Sequence, residues 1–166
     1  MKTVIVLAMH GTPPKDFPRR ELGEFFTLHA RHEAHDLTNV DRYLELADRL
    51  KRWPRTPEND PFHAASCELA QAISQEIGCD VIVGFNEFCT PDIDEALAQA
   101  ACDGANRVVV VTTMMTRGGE HAEREIAQSV RLGRQNYPEV EFIYAWPFET
   151  AKVAQFLTEH VKGFIA

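Results

Sequence analysis

Residues 107–125, RVVVVTTMMTRGGEHAERE, constrain this chain more than any other stretch, because an uninterrupted β-branched run leads through a glycine pair into a helix carrying a histidine. Val108 to Val111 suit a strand covered on both faces, as in a parallel sheet flanked by helices. Gly118 and Gly119 permit backbone angles that Met114, Met115 and Thr116 resist, so the chain can turn sharply there. On the helix that follows, His121 and Glu125 stand four residues apart and share one face. The stretch thus sets an imidazole and a carboxylate at the carboxyl end of a strand, the edge where open parallel sheets keep their ligand sites.

Three more apolar runs alternate with helical patterns. Residues 3–9 end in His10-Gly11-Thr12-Pro13-Pro14, residues 80–85 (DVIVGF) end in Asn86-Glu87-Phe88, and residues 140–146 supply a last strand. Asp60 before Pro61 is a helix start, with Phe62, Ala65, Leu69, Ile73 and Ile77 as the apolar stripe up to Gly78. Thr90-Pro91-Asp92 opens another helix, whose Ile93, Ala96, Leu97, Ala100 and Ala101 face the sheet before Gly104. A helix from Gly119 to about residue 136 follows the third strand, and Val153, Phe156, Leu157, Val161 and Phe164 make the final helix amphipathic.

Between the first strand and Asp60, two further helices are expected. Leu22, Phe25, Phe26 and His29 recur at helical spacing, and a helix over 40–53 turns Tyr43, Leu44, Ala47 and Leu50 inward. Four strands alternating with helices, joined by right-handed crossovers, predict an α/β, flavodoxin-like fold. Its four-stranded parallel sheet has the order 2-1-3-4, with helices on both faces and a helical insertion over about 18–57, in a single domain spanning 1–166.

Composition narrows the function classes. A 45% hydrophobic and 25% charged chain of 166 residues can bury a core unaided. A net charge of −8 argues against nucleic acid as a partner. The apolar N-terminal run is too short for a signal or membrane segment, so a cytoplasmic protein without membrane association is expected. Cys67, Cys79, Cys89 and Cys102 lack CxxC spacing, which argues against structural zinc and predicts reduced, buried thiols.

With the first strand between the second and third, at spacings of about 4.8 Å, His10, Glu87 and His121 surround one crevice. Two imidazoles and a carboxylate suit a divalent first-row metal, with positions left open for another ligand. Other histidines point elsewhere. His29, His32 and His35 alternate with Arg31, Glu33 and Asp36 and belong to a solvated face, while His160 sits on the stripe of the last helix as a core-edge residue. Met114 and Met115 line a pocket or pack.

His10-Gly11-Thr12 after an apolar strand, GFNEF with Glu87, the TPDIDEAL helix, and MMTRGGEHAEREI with His121 resemble the class II tetrapyrrole chelatases, the sirohydrochlorin cobaltochelatase and ferrochelatase (CbiX/SirB-type) family. The resemblance covers roughly the first fifteen residues and everything from Asp80 onward. It implies a chelatase fold, and a lyase reaction in which Co2+, Fe2+ or Ni2+ enters a sirohydrochlorin-type tetrapyrrole, in cobalamin or siroheme biosynthesis, without a nucleotide. By position, His10 and His121 hold the metal, and Glu87 assists as ligand or base. Two features depart from the family: the segment 18–57 is longer than in its shortest members, and Thr12 stands where serine is usual.

Such a substrate is a polycarboxylate. Against a net charge of −8 it requires a local positive rim, for which Lys15, Arg19, Arg20 and Arg117 are the candidates, with Met114 and Met115 beside the macrocycle. The single set of motifs, against family members that pair two units around the ring, implies a homodimer. The rival readings are a non-catalytic carrier of metal or tetrapyrrole and a flavodoxin-like domain without a metal.

Overall fold

The computed structural model describes residues 1–165. It forms one parallel sheet of order β2-β1-β3-β4 from β1 (Thr3–Met9), β2 (Asp80–Phe85), β3 (Arg107–Thr112) and β4 (Glu141–Tyr144). This is the flavodoxin-like α/β arrangement and strand order that the alternating pattern predicts. Register places the site. Ala8 of β1 lies opposite Gly84 of β2 on one side and Thr112 of β3 on the other, so three strands end level and release their loops along one rim.

The helices are α1 (Arg19–Glu33), α2 (Val40–Lys51), α3 (Pro61–Ile77), α4 (Ile93–Cys102), α5 (Ile126–Asn136) and α6 (Thr150–Ile165), with a π-helical turn, His121–Glu125, leading into α5. Val4, Val6, Ala8, Val108, Val110 and Phe142 form the core of one sheet face with α4 and α5. Gly84 is required on this face, since a Cβ there would meet the Cβ of Ala96 at 3.0 Å. On the other face Leu7, Met9 and Phe85 pack against Ala70 of α3. Phe17, Phe25, Leu28, Leu46 and Leu50 give the α1–α2 insertion a core of its own.

Helix starts follow the local chemistry. The Asp60 carboxylate accepts from the backbone N–H of His63 at 2.9 Å, ahead of Pro61 in the first turn of α3. Asp92 and Glu95 close a reciprocal capping box on α4.

Several expectations are corrected. The buried face of α3 runs through Ser66 and Ala70 with Phe62 and Ile73 beside it, while Leu69 and Ile77 are exposed; Ala70 next to the sheet lets the helix approach closely, and that rotates the larger residues outward. Leu44 of α2 is exposed, and Leu46 takes the inner place. Of the cysteines only Cys89 is buried. No residue of α6 is buried: Phe156, Leu157, Val161 and Phe164 are 47% to 77% exposed, and His160 is exposed with them. Periodicity shows that a helix has an apolar stripe but not what the stripe meets. No helix among the described residues is long and apolar enough to cross a membrane.

Candidate metal centre

His10 follows β1 directly and is fixed through its own backbone. Hydrogen bonds from Asn86 N–H to Met9 O (2.8 Å) and from Glu87 N–H to His10 O (2.9 Å) extend the β1–β2 ladder past the strand ends and set the two loops side by side. Gly11, at φ +95°, lies so close to the second loop that no side chain fits there. The His10 Nδ1 lies 2.8 Å from the carbonyl oxygen of Gly11, which only accepts. Nδ1 therefore carries the ring proton, and Nε2 is left free, 3.6 Å from Glu87 Oε2.

His121 arrives from the third strand end on the π-helical turn, a geometry that recurs at functional positions. Tyr144 of β4 holds this turn by donating its hydroxyl to the Ala122 carbonyl at 2.8 Å, and burial pushes that phenol up to about 12. Gly118 N–H donates to Glu123 at 2.7 Å at the turn's start. The His121 Nδ1 lies 2.8 Å from both Glu125 Oε2 and the Asn86 amide nitrogen. One nitrogen cannot donate to the first and accept from the second. Partial burial pushes the Glu125 carboxyl up, but hydrogen bonds from Asn86 and His121 outweigh it and hold it below the usual carboxylate range. Ionised Glu125 only accepts, so His121 donates through Nδ1, and the Asn86 amide serves Glu125. His121 then presents Nε2, the orientation a carboxylate partner imposes on a metal-ligating histidine.

The outcome is a compact donor set. One ligand atom each from His10, Glu87 and His121 lies within 4.8 Å of the others, all three residues half-buried, with the two imidazoles edge to face at 4.8 Å between centroids. Neutral imidazole nitrogens and a carboxylate oxygen suit a first-row dication and leave coordination positions open.

A buried ion pair ties the two loops carrying His10 and Glu87 to the insertion. Arg55, just beyond α2, donates to Asp60 Oδ2 at 2.6 Å, to the Thr12 carbonyl at 2.8 Å, to the Leu50 carbonyl at 2.9 Å and to the Phe88 carbonyl. The Thr12 hydroxyl donates to Asp60 at 3.0 Å. Both charged side chains are buried. Burial pushes the Asp60 carboxyl up, but the His63 N–H, the Thr12 hydroxyl and Arg55 outweigh it and hold it low. Among the described residues, Arg55 Nε is the buried side-chain polar atom without a partner.

A cavity of about 450 Å³ opens beside the donor set. Its walls include Glu87, Phe88, His121 and Glu125 from the sheet rim, and Phe25, His29, Tyr43 and Lys51 from the insertion.

The sequence model of the CbiX family matches residues 58–162. The chain is a member of the CbiX family. Three solved structures are similar to it. SirB from Bacillus subtilis with Fe3+ is 16% identical at a TM-score of 0.56, covering 100% of this chain and 48% of that one. The CbiX protein from Marinobacter aquaeolei VT8 is 14% identical at a TM-score of 0.56, covering 99% and 96%. The sirohydrochlorin chelatase SirB from Bacillus subtilis subspecies spizizenii in complex with cobalt is 18% identical at a TM-score of 0.51, covering 100% and 52%. At these identities the likeness is one of fold, and this CbiX chain spans about half the length of the two SirB chains. No curated protein matches it in sequence.

In this CbiX chain the expected donors converge, whereas the expected positive rim does not line the cavity. Lys15, Arg19, Arg20 and Arg117 are exposed and stand outside its walls, as do Met114 and Met115, and Met114 packs against the core beneath β3. Lys51, which does line it, is tied to Asp92 at 3.1 Å. The sequence pattern set His121 and Glu125 on one helix face, as found, but gave no sign of Asn86, Arg55 or the aromatic wall. His29 is not a residue of a wholly solvated face: its Nδ1 lies 3.1 Å from the Tyr43 hydroxyl, and it stacks on Phe25. The i, i+4 spacing of His121 and Glu125 was the one available signal; the others become neighbours only through tertiary folding.

Proposed function

We propose that this chain is a metal chelatase, a lyase that inserts Co2+, Fe2+ or Ni2+ into a sirohydrochlorin-type tetrapyrrole in the cytoplasm, as a step of cobalamin- or siroheme-type biosynthesis, using no nucleotide. The observation that carries the reading is the donor set itself: His10 and His121 both presenting Nε2, with the Glu87 carboxylate beside them at the edge of a cavity. Family membership and the metal-bearing SirB structures of the same fold support it.

Insertion removes two pyrrole protons while ring nitrogens replace the ligands of the incoming metal, which is a substrate here. His10 and His121 hold the ion through exchangeable bonds and leave its remaining positions to the ring. Glu87, as ligand or base, accepts one proton as the ring nitrogens bind, and the second passes to solvent at the open cavity. Lys15, Arg19, Arg20 and Arg117, outside the cavity walls, meet only those substrate carboxylates that project beyond its mouth.

The chain acts as a homodimer in this reading. The bare apolar face of α6 is surface that a two-fold partner would bury, and symmetric pairing gives both copies the same contact.

Absorbance of sirohydrochlorin with Co2+ and substoichiometric protein tests the activity. Many turnovers per chain support the chelatase, stoichiometric binding without turnover indicates a carrier, and no response by metal or macrocycle indicates a domain of another function.

A further inference from the structure

We infer that the α1–α2 insertion, together with Phe88, forms an aromatic platform on which the flat face of the conjugated macrocycle lies beside the metal donors. The inference rests on the chelatase reading and specifies how that site holds its organic substrate.

Three independent observations lead to it. First, the rings form one continuous array running away from the donor set. His10 lies 6.4 Å from Phe88, Phe88 lies 6.2 Å from Phe25, and Phe25 is stacked at 16° on His29 and at 19° on Tyr43. Phe25 is buried, whereas His29, Tyr43 and Phe88 are half-buried, and all four line the cavity that also reaches Glu87 and His121. A core cluster alone would not leave its aromatic edge lining an open cavity.

Second, Phe88 is held in a conformation that its own backbone disfavours. At φ +61° a residue with a side chain is in the left-handed region, rare for a bulky residue and found where the surroundings impose it. The hydrogen bonds that impose it are present: Arg55 donates to the Phe88 carbonyl, and Cys89 N–H donates to the Glu87 carbonyl at 2.7 Å. The strained residue directly follows Glu87, and its ring sits between His10 and Phe25.

Third, Phe25 and His29 come from α1 and Tyr43 from α2, and Arg55 anchors this pair of helices to the loops of His10 and Glu87. A cavity of about 450 Å³ is within the usual range for an enclosed small ligand, roughly 300 to 1,000 Å³. Stacking on aromatic faces holds a planar conjugated ring without fixing its substituents, and it operates where the walls offer few free cations for substrate carboxylates.

The test separates the platform from the metal site. Metal-free sirohydrochlorin is titrated by fluorescence into the full-length wild type and into Y43L, F88L and Y43F; Co2+ alone is titrated into the same proteins by calorimetry. Leucine keeps apolar bulk and removes the π-face. The expected result is a loss of macrocycle affinity of roughly tenfold in Y43L and in F88L, wild-type affinity in Y43F, and unchanged Co2+ affinity throughout. Circular dichroism confirms the fold of each variant, and should F88L unfold, Y43L against Y43F decides alone. Wild-type macrocycle affinity in Y43L and F88L overturns the platform and leaves the chelatase reading standing. A wild type that binds Co2+ but no macrocycle overturns both.

Discussion

A Cβ at Gly11 would lie 1.9 Å from the carbonyl oxygen of Glu87 and 3.0 Å from its carbonyl carbon. The loops bearing the first histidine and the carboxylate are therefore in backbone contact, and their spacing has no slack. Gly11 also takes φ +95°, which a side chain resists. Gly11→Ala is expected to destabilise the protein by at least about 1 kcal/mol from conformation alone and to lower insertion at least about a hundredfold, because misplacement by 1 Å has that effect. Denaturant unfolding and the sirohydrochlorin assay measure the two. Wild-type values in both would mean that the loops are free to separate.

Glu125 orients His121 and presents no ligand atom to the donor set. Glu125→Gln keeps the shape and removes the charge that holds the Nδ1 proton of His121. Metal affinity should fall about tenfold to a hundredfold, the usual effect of removing an outer partner, with melting temperature little changed because the side chain is about half exposed and the amide keeps its shape. Calorimetry with Co2+ checks this, and unaltered affinity would make the His121–Glu125 contact incidental.

Arg55 and Asp60 form a buried pair, and removing one partner strands the other. Asp60→Asn is expected to destabilise by about 3 to 5 kcal/mol at neutral pH. The pH dependence has a definite sign. The folded-state pKa of Asp60 is depressed, so its contribution is complete above the unfolded value near 3.9 and is lost as pH falls through the lower folded value. The gap between wild type and variant should therefore be constant around neutrality and close in acid. A gap that widens toward low pH would contradict the assignment.

The strands and the convergence at their rim were legible in the sequence because both depend on local chemistry. Runs such as residues 108–111 allow little but a covered strand, parallel register levels the strand ends, and His10, Glu87 and His121 each stand just beyond one. What escaped depends on partners far away in sequence. Arg55 is one arginine in a proline-rich connection until Thr12, Asp60 and Phe88 assemble around it. His29 and Tyr43 look like ordinary helix residues until α1 and α2 meet over the rim. The π-helical turn at His121 has no residue signature in GGEHAERE, and the apolar stripe of α6, legible in the sequence, lies bare in the structure.

That bare stripe yields a prediction about assembly. Light scattering should give twice the 18.8 kDa chain mass, and a double change of Phe156 and Phe164 to Asp should give a single-chain mass with secondary structure intact, because both side chains are already exposed in one chain. A wild-type mass near one chain, unchanged by metal and tetrapyrrole, would exclude the dimer and leave the insertion as the principal cover of the site.

In the proposed reaction His10, His121 and Glu87 together insert the metal. Its most direct test is the steady-state rate of Co2+ insertion into sirohydrochlorin, followed by absorbance, for the wild type and for His10→Ala, His121→Ala and Glu87→Gln, each checked by circular dichroism. The wild type should turn over many times, both histidine variants should fall to the uncatalysed rate, and Glu87→Gln should lose about a hundredfold to ten-thousandfold with metal binding weakened less. A wild-type rate no faster than that of the free reagents, or full turnover by a folded protein lacking either histidine, would contradict it.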